Sequence, residues 1–121
     1  MSPTIPEKNK VWLFQSNPER YDIFNELKDD AVKESTWTVT RYQREISSGD
    51  IGILWVSGKN AGIYAIFDII SNPETIVDEE VSRKYWVDKK EADTPHLRIK
   101  YRYQLKLSKP LLKPEVQKID A

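Results

Sequence analysis

The chain of 121 residues is 39% hydrophobic and 11% aromatic, which suits one domain around a single packed core. Nineteen Lys and Arg balance nineteen Asp and Glu, so no global basic field marks a nucleic-acid binder, and any such charge must be local. The absence of Cys excludes disulfides, thiolate metal sites and Cys nucleophiles, and a lone His argues against a His metal site or a triad. No apolar run is long enough to span a bilayer, and residues 1–10 lack a signal-peptide apolar centre. A cytoplasmic domain with no membrane partner is therefore expected.

Residues 1–10 are polar and carry two prolines, which predicts a flexible lead-in. The folded domain is expected over 11–114, and 115–121 as a polar tail or linker. Val11–Phe14 is a compact β-favouring run, predicted to be a buried strand. Pro18 turns Asn17 away from helix. Tyr21, Phe24 and Leu27 then recur at helical spacing, giving a short helix up to about Lys28, with Asn17 or Asp22 as its N-cap. Asp29–Thr36 reads as a charged connection and Trp37–Val39 as a short β segment. Tyr42–Ile46 predicts a helical turn before the Ser47–Asp50 turn, where Gly49 supplies positive φ.

Ile51–Val56 and Gly62–Ile70 read as a strand pair joined by Ser57–Ala61. Glu74–Arg83 is an acidic connection, followed by an aromatic island at Tyr85-Trp86-Val87 and a charged loop up to Pro95. Leu97, Ile99, Tyr101, Tyr103, Leu105 and Leu107 alternate with Arg98, Lys100, Arg102, Gln104, Lys106 and Ser108. That alternation predicts a long half-buried strand with one basic face, ending at Pro110. The sum is a mixed, β-rich α/β domain of five or six strands and one or two short helices, curled towards a small barrel.

Enzyme chemistry finds little support in these residues. His96 stands at a strand entrance as a surface residue, and the carboxylate pairs Asp29-Asp30 and Glu79-Glu80 lie in charged connections. Gly49, Gly52, Gly58 and Gly62 form neither a phosphate loop nor a dinucleotide fingerprint. A non-catalytic domain without cofactor or metal is expected. Two aromatic residues carry the better lead. Trp37 sits among Ser35, Thr36, Thr38 and Thr40, and Trp55 precedes the polar loop Val56–Asn60. Large aromatics are usually core; two indoles can also wall a slot for an extruded or single-stranded base. Arg41, Arg44 and Lys59 would then meet phosphates near the slot. The stripe Arg98, Lys100, Arg102 is either a further phosphate surface or the wet face of a strand.

The ordered motifs Trp12-Leu13-Phe14, Ser16-Asn17-Pro18 with Tyr21, Trp37-x-Val39-x-x-Tyr42-Gln43, Gly49-Asp50, Leu54-Trp55-Val56-Ser57, Gly62-Ile63 and Ala65-Ile66 resemble those of an EVE domain. This is a PUA-like family, similar in fold to YTH and ASCH domains, and the resemblance runs from Trp12 to about Leu112. It implies a PUA-like curled β-barrel of five to six strands with short flanking helices. It also implies a nucleic-acid-binding domain that recognises a modified base, flipped out of duplex DNA into an aromatic pocket. Ser16, Asn17, Trp37, Thr38, Val39, Trp55 and Ser57 would form that pocket. Trp55 stands where the family has Tyr, which makes the slot similar to the aromatic cage of YTH domains. The resemblance further implies a targeting role in a modification-dependent restriction system, fused to or working with a McrB-type GTPase or nuclease module. An RNA-binding module is the alternative, and a small-molecule-binding or hydrolytic ASCH-like domain the third reading.

Overall fold

The computed structural model describes residues 10–114; the expected tail and all of the expected lead-in but Lys10 lie outside the described residues. The elements are β1 (Val11–Ser16), α1 (Ile23–Lys28), β2 (Glu34–Thr38), β3 (Ile51–Val56), β4 (Gly62–Ile69) and β5 (Glu74–Ile76), then α2 (Lys89–Asp93) and β6 (His96–Leu112). A 3-10 helix, Glu80–Tyr85, lies between β5 and α2. The sheet runs β1-β3-β4-β6-β2, with β5 also paired to β6, and curls into a half-barrel. Only the β1–β3 pair is parallel among these pairings. The expected β-rich mixed fold with short helices is what the chain forms.

The core lies inside the curl. Phe14, Leu54, Val56, Ala65, Phe67, Ile69, Ile99 and Tyr101 are buried there, with Ile23 of α1 closing one side. Phe67 sits at the centre, its ring 4.2 Å from that of Tyr101 and 5.2 Å from that of Phe14. Gly52 faces the Phe67 ring so closely that no Cβ fits. The Ser47–Asp50 turn forms as expected, with Asp50 N–H donating to Ser47 O at 3.1 Å and Gly49 at φ 97°. Asp50 then ties two strand starts together. It accepts from Trp12 Nε1 at 2.8 Å, from Ser47 N at 3.0 Å and from Lys10 N at 3.1 Å. Burial opposes ionisation of Asp50, but these donors prevail and hold its carboxyl below the usual carboxylate value.

Several expectations need correction. The β1 strand is not buried on both faces: it is an edge strand, with Val11 58% and Leu13 63% exposed. Helix α1 starts from the Asp22 cap, whose side chain accepts from Asn25 N, and it buries Ile23 and Glu26. Asn17 instead closes the preceding turn, its side chain accepting from Glu19 N at 3.0 Å. The last strand continues through Pro110 to Leu112. It does so because its pairing with β4 jumps from Ala65↔Lys106 to Ile63↔Leu111, a bulge in which the missing proline N–H breaks no ladder bond. Arg98 is the main departure. It is fully buried, because β5 and α2 cover the start of the strand face that alternation assigned to solvent.

Candidate functional site

A cavity of about 790 Å³ opens at one end of the half-barrel. Each wall has a distinct source. Ser16 and Asn17 come from the end of β1, Tyr21 from the approach to α1, and Thr36, Trp37 and Thr38 from β2. Tyr101 contributes from β6, while Asp78, Trp86, Val87 and Glu91 come from the segment between β5 and β6. That segment is pinned to the β1–α1 connection by backbone bonds: Asp22 N–H donates to Tyr85 O at 2.7 Å and Val87 N–H to Arg20 O at 3.0 Å. The Trp86 ring packs edge-on against Tyr21 at 5.1 Å, and Trp37 packs edge-on against Phe14 at 5.4 Å. Two half-buried indoles, Trp37 and Trp86, thus line the same cavity.

Asp78 is the best-anchored polar group in it. Its Oδ1 accepts from Thr36 Oγ1 at 2.7 Å, from Glu79 N at 2.8 Å and from Ser35 Oγ at 3.4 Å. Its Oδ2 accepts from Trp86 Nε1 at 2.6 Å. Behind Trp86 lies Arg98, its guanidinium 5.8 Å from the indole centroid. Arg98 donates to Ile76 O at 3.0 Å and Glu91 O at 2.8 Å, tying β5 and α2 to β6. Burial lowers its pKa, while Asp78 and Glu91 oppose that shift. Tyr21 and Tyr101 are pushed well above the ordinary phenol value, first by burial and then by the charge of Glu26, so both keep their protons. Glu19, Asp78, Asp88 and Glu91 line the cavity against Arg20 and His96, so its interior favours hydrogen-bond donors over anions.

The expected pocket residues separate into groups. Ser16, Asn17, Trp37 and Thr38 line the cavity. Val39 does not: it is buried in the core, its N–H donating to Leu97 O at 2.8 Å. Ser57 holds a strand end, its hydroxyl donating to Ser16 O at 3.1 Å. Trp55 lies outside the cavity lining, half-buried and out of phase with the buried Gly52, Leu54 and Val56 of its strand. Strand alternation therefore turns it away from the core side that Trp37 faces. Arg41, Arg44 and Lys59 are exposed on loops. Arg102 is exposed but engaged with Glu34 at 2.9 Å, and Lys100 is half-buried. The supposed basic stripe is thus broken at Arg98 and neutralised at Arg102.

The EVE domain family matches residues 10–120. The chain belongs to that family. No curated protein matches it. Among solved structures, human THYN1 in complex with 5-methylcytosine-containing DNA superposes with a TM-score of 0.59 at 18% identity, over 92% of this chain and 75% of that one. A hypothetical protein from Leishmania major gives 0.59 at 17%, over 92% and 74%. Rpa0253 from Rhodopseudomonas palustris gives 0.57 at 18%, over 90% and 70%. At these identities the likeness is one of fold, and it fits the PUA-like architecture expected from the motifs.

Within this EVE domain the lining residues that sequence reasoning left out of the pocket include Tyr21, Thr36, Asp78, Trp86 and Tyr101. One signal was present for Trp86: an aromatic island inside a stretch otherwise charged. Asp78 carried none. Among the described residues no His, Asp and Glu side chains gather as a metal-binding group, and no helix is long and apolar enough to cross a membrane.

Proposed function

We propose that the cavity holds a modified base turned out of duplex DNA, and that the domain binds this base without transforming it. The observation that carries the reading is the presence of the Trp37 and Trp86 indoles in the lining of one cavity whose polar groups are acceptor-rich. Its volume lies within the range of small-ligand sites. Human THYN1, similar in fold, is found with 5-methylcytosine DNA, which supports a base rather than a free metabolite as occupant. Four carboxylates in the lining would repel a phosphate, so the backbone stays outside and only the ring enters.

Stacking on an aromatic contributes about 1–3 kcal/mol per base, and unstacking the duplex costs a few. The two nearly cancel. Net affinity then comes from phosphate contacts, for which the exposed Arg41, Arg44 and Lys59 are the candidates. Three such contacts give a salt slope of about −3 in log affinity against log salt concentration. The wider role we assign is that of targeting module for a modification-dependent restriction system, acting with a GTPase or nuclease module; the resemblance to EVE domains supports it.

The test is an equilibrium titration with matched duplexes carrying no modification, 5-methylcytosine, 5-hydroxymethylcytosine or N6-methyladenine, with RNA versions beside them. Preference for one modified DNA duplex is expected. Equal affinity for all duplexes would overturn the reading, and preference for the RNA set would replace it with an RNA-binding one.

A further inference from the structure

We propose that Asp78 determines which base the cavity accepts, selecting a base with an exocyclic amino group against one whose edge carries only carbonyl oxygens. The inference rests on the base-binding reading of the cavity and adds the chemical class of its occupant. Each Asp78 oxygen faces an obligate donor, since Glu79 N–H points at Oδ1 and the Trp86 indole N–H at Oδ2. Neither of those donors can accept, so both oxygens act as acceptors. Three donors crowd Oδ1, whereas Oδ2 receives one hydrogen bond and keeps a free lone-pair direction.

The carboxylate has no direct cationic partner among the described side chains. Arg98 interacts with it only through space, since it donates to the carbonyls of Ile76, Glu91 and Thr94 while its Nη1 finds no hydrogen-bond partner among the described residues. A buried anion in this state attracts a donor, and Asp78 is only 9% exposed in a cavity it helps to line. Carboxylates read the amino group of cytosine in this way. Thymine offers only a ring N–H between two carbonyl oxygens, and both oxygens are repelled by the same charge. The anchoring donors also fix the Asp78 rotamer, so the acceptor is set before the base arrives and discrimination is not lost to reorientation.

The bland alternative is that Asp78 serves only to hold Thr36, Glu79 and Trp86 in place. Affinity alone does not separate the two, because a loosened cavity binds everything less well. Base preference does. The experiment compares two duplexes, identical but for a central 5-methylcytosine·guanine pair or a thymine·guanine mismatch, titrated against the full chain and against Asp78→Asn. The two bases share the 5-methyl group and differ at the amino edge, while the mismatch makes thymine the easier base to extrude.

Wild-type protein is expected to favour 5-methylcytosine by about tenfold or more, the range for a hydrogen bond to a charged group. Asp78→Asn is expected to bring that ratio to about one or below, since its amide can present a donor. A wild-type ratio near one, or a ratio unchanged in Asp78→Asn, overturns the proposal. The wild-type ratio tests it even where the variant fails to fold. An unmodified cytosine·guanine duplex, titrated against wild type and Trp37→Ala, reports on the cavity separately. If methylation matters and Trp37→Ala abolishes that dependence while the thymine duplex binds equally, only the Asp78 inference falls. If neither methylation nor Trp37 matters, the base-binding reading falls with it.

Discussion

Glu26 is an acid buried in the wrong medium, and replacing it by Gln should stabilise the domain above neutral pH. It is fully buried in α1; its Oε2 accepts from the Tyr103 hydroxyl at 2.7 Å, while Oε1 finds no hydrogen-bond partner among the described residues. Burial raises its pKa from 4.5 to about 7; the Tyr103 hydroxyl and Lys106 pull it down, and Asp78 and Asp29 push it up. A folded pKa above the unfolded one means that the protonated form is favoured by folding. Its contribution is fully present below 4.5 and is lost as pH rises through about 7. The displacement corresponds to about 3 kcal/mol, at about 1.4 kcal/mol per pH unit. Gln mimics the protonated acid and still accepts from Tyr103. Glu26→Gln should therefore match wild type within about 1 kcal/mol near pH 4.5 and exceed it by about 3 kcal/mol at pH 8. Urea denaturation at both pH values measures this directly. Parallel stability curves across that range, or a variant weaker than wild type at pH 8, would refute the reasoning.

Arg98→Met should cost about 1.5–3 kcal/mol in denaturant unfolding, because it removes the charge-assisted hydrogen bonds that hold β5 and α2 to β6. The salt slope of DNA binding should not change, whereas a phosphate-contacting Arg98 would show the reverse pattern. Gly52→Ala should destabilise by about 1–3 kcal/mol or more, since its Cβ has no room beside the Phe67 ring; an unaltered thermal midpoint would contradict this. Asp50→Asn should lose about 2 kcal/mol at neutral pH, with hydrogen-bonded donors from Trp12, Ser47 and Lys10 left poorly matched. Because the folded pKa of Asp50 is depressed, the difference from wild type should shrink as pH falls below 3.8, and a gap constant with pH would argue against it.

The β3–β4 hairpin and the alternation of β6 were legible because turn chemistry and alternation are local properties, whereas the end of β6, expected at Pro110, lies at Leu112. The Ser47–Asp50 turn was legible for the same reason. Local pattern did not say which face of a strand the rest of the chain would cover. In β3, Ile51, Ile53 and Trp55 look at least as buryable as Gly52, Leu54 and Val56, yet the second set faces the core. Phe67 decides this by requiring Gly52 beneath it. Trp55, which local pattern places in a slot, accordingly lies outside the cavity lining. Arg98 failed for a related reason: it alternates with Leu97 and Ile99 as a surface residue should, but α2 and β5 fold over it. Six of the residues lining the cavity come from 78–96, where charged side chains show no period. Their placement depends on backbone bonds to residues 20–22 and on the Asp78 cluster, which are long-range contacts that no window of sequence contains.

The central claim is that a modified base enters between Trp37 and Trp86, with Trp55 outside. The chain has four Trp residues, so four indole N–H signals report on it without any mutation. Titrating the labelled protein with a 5-methylcytosine duplex and following those four signals by NMR should move Trp37 and Trp86 strongly. Trp55, and Trp12 held by Asp50, should stay in place. A shift of Trp55 while Trp86 remains unmoved would contradict the account.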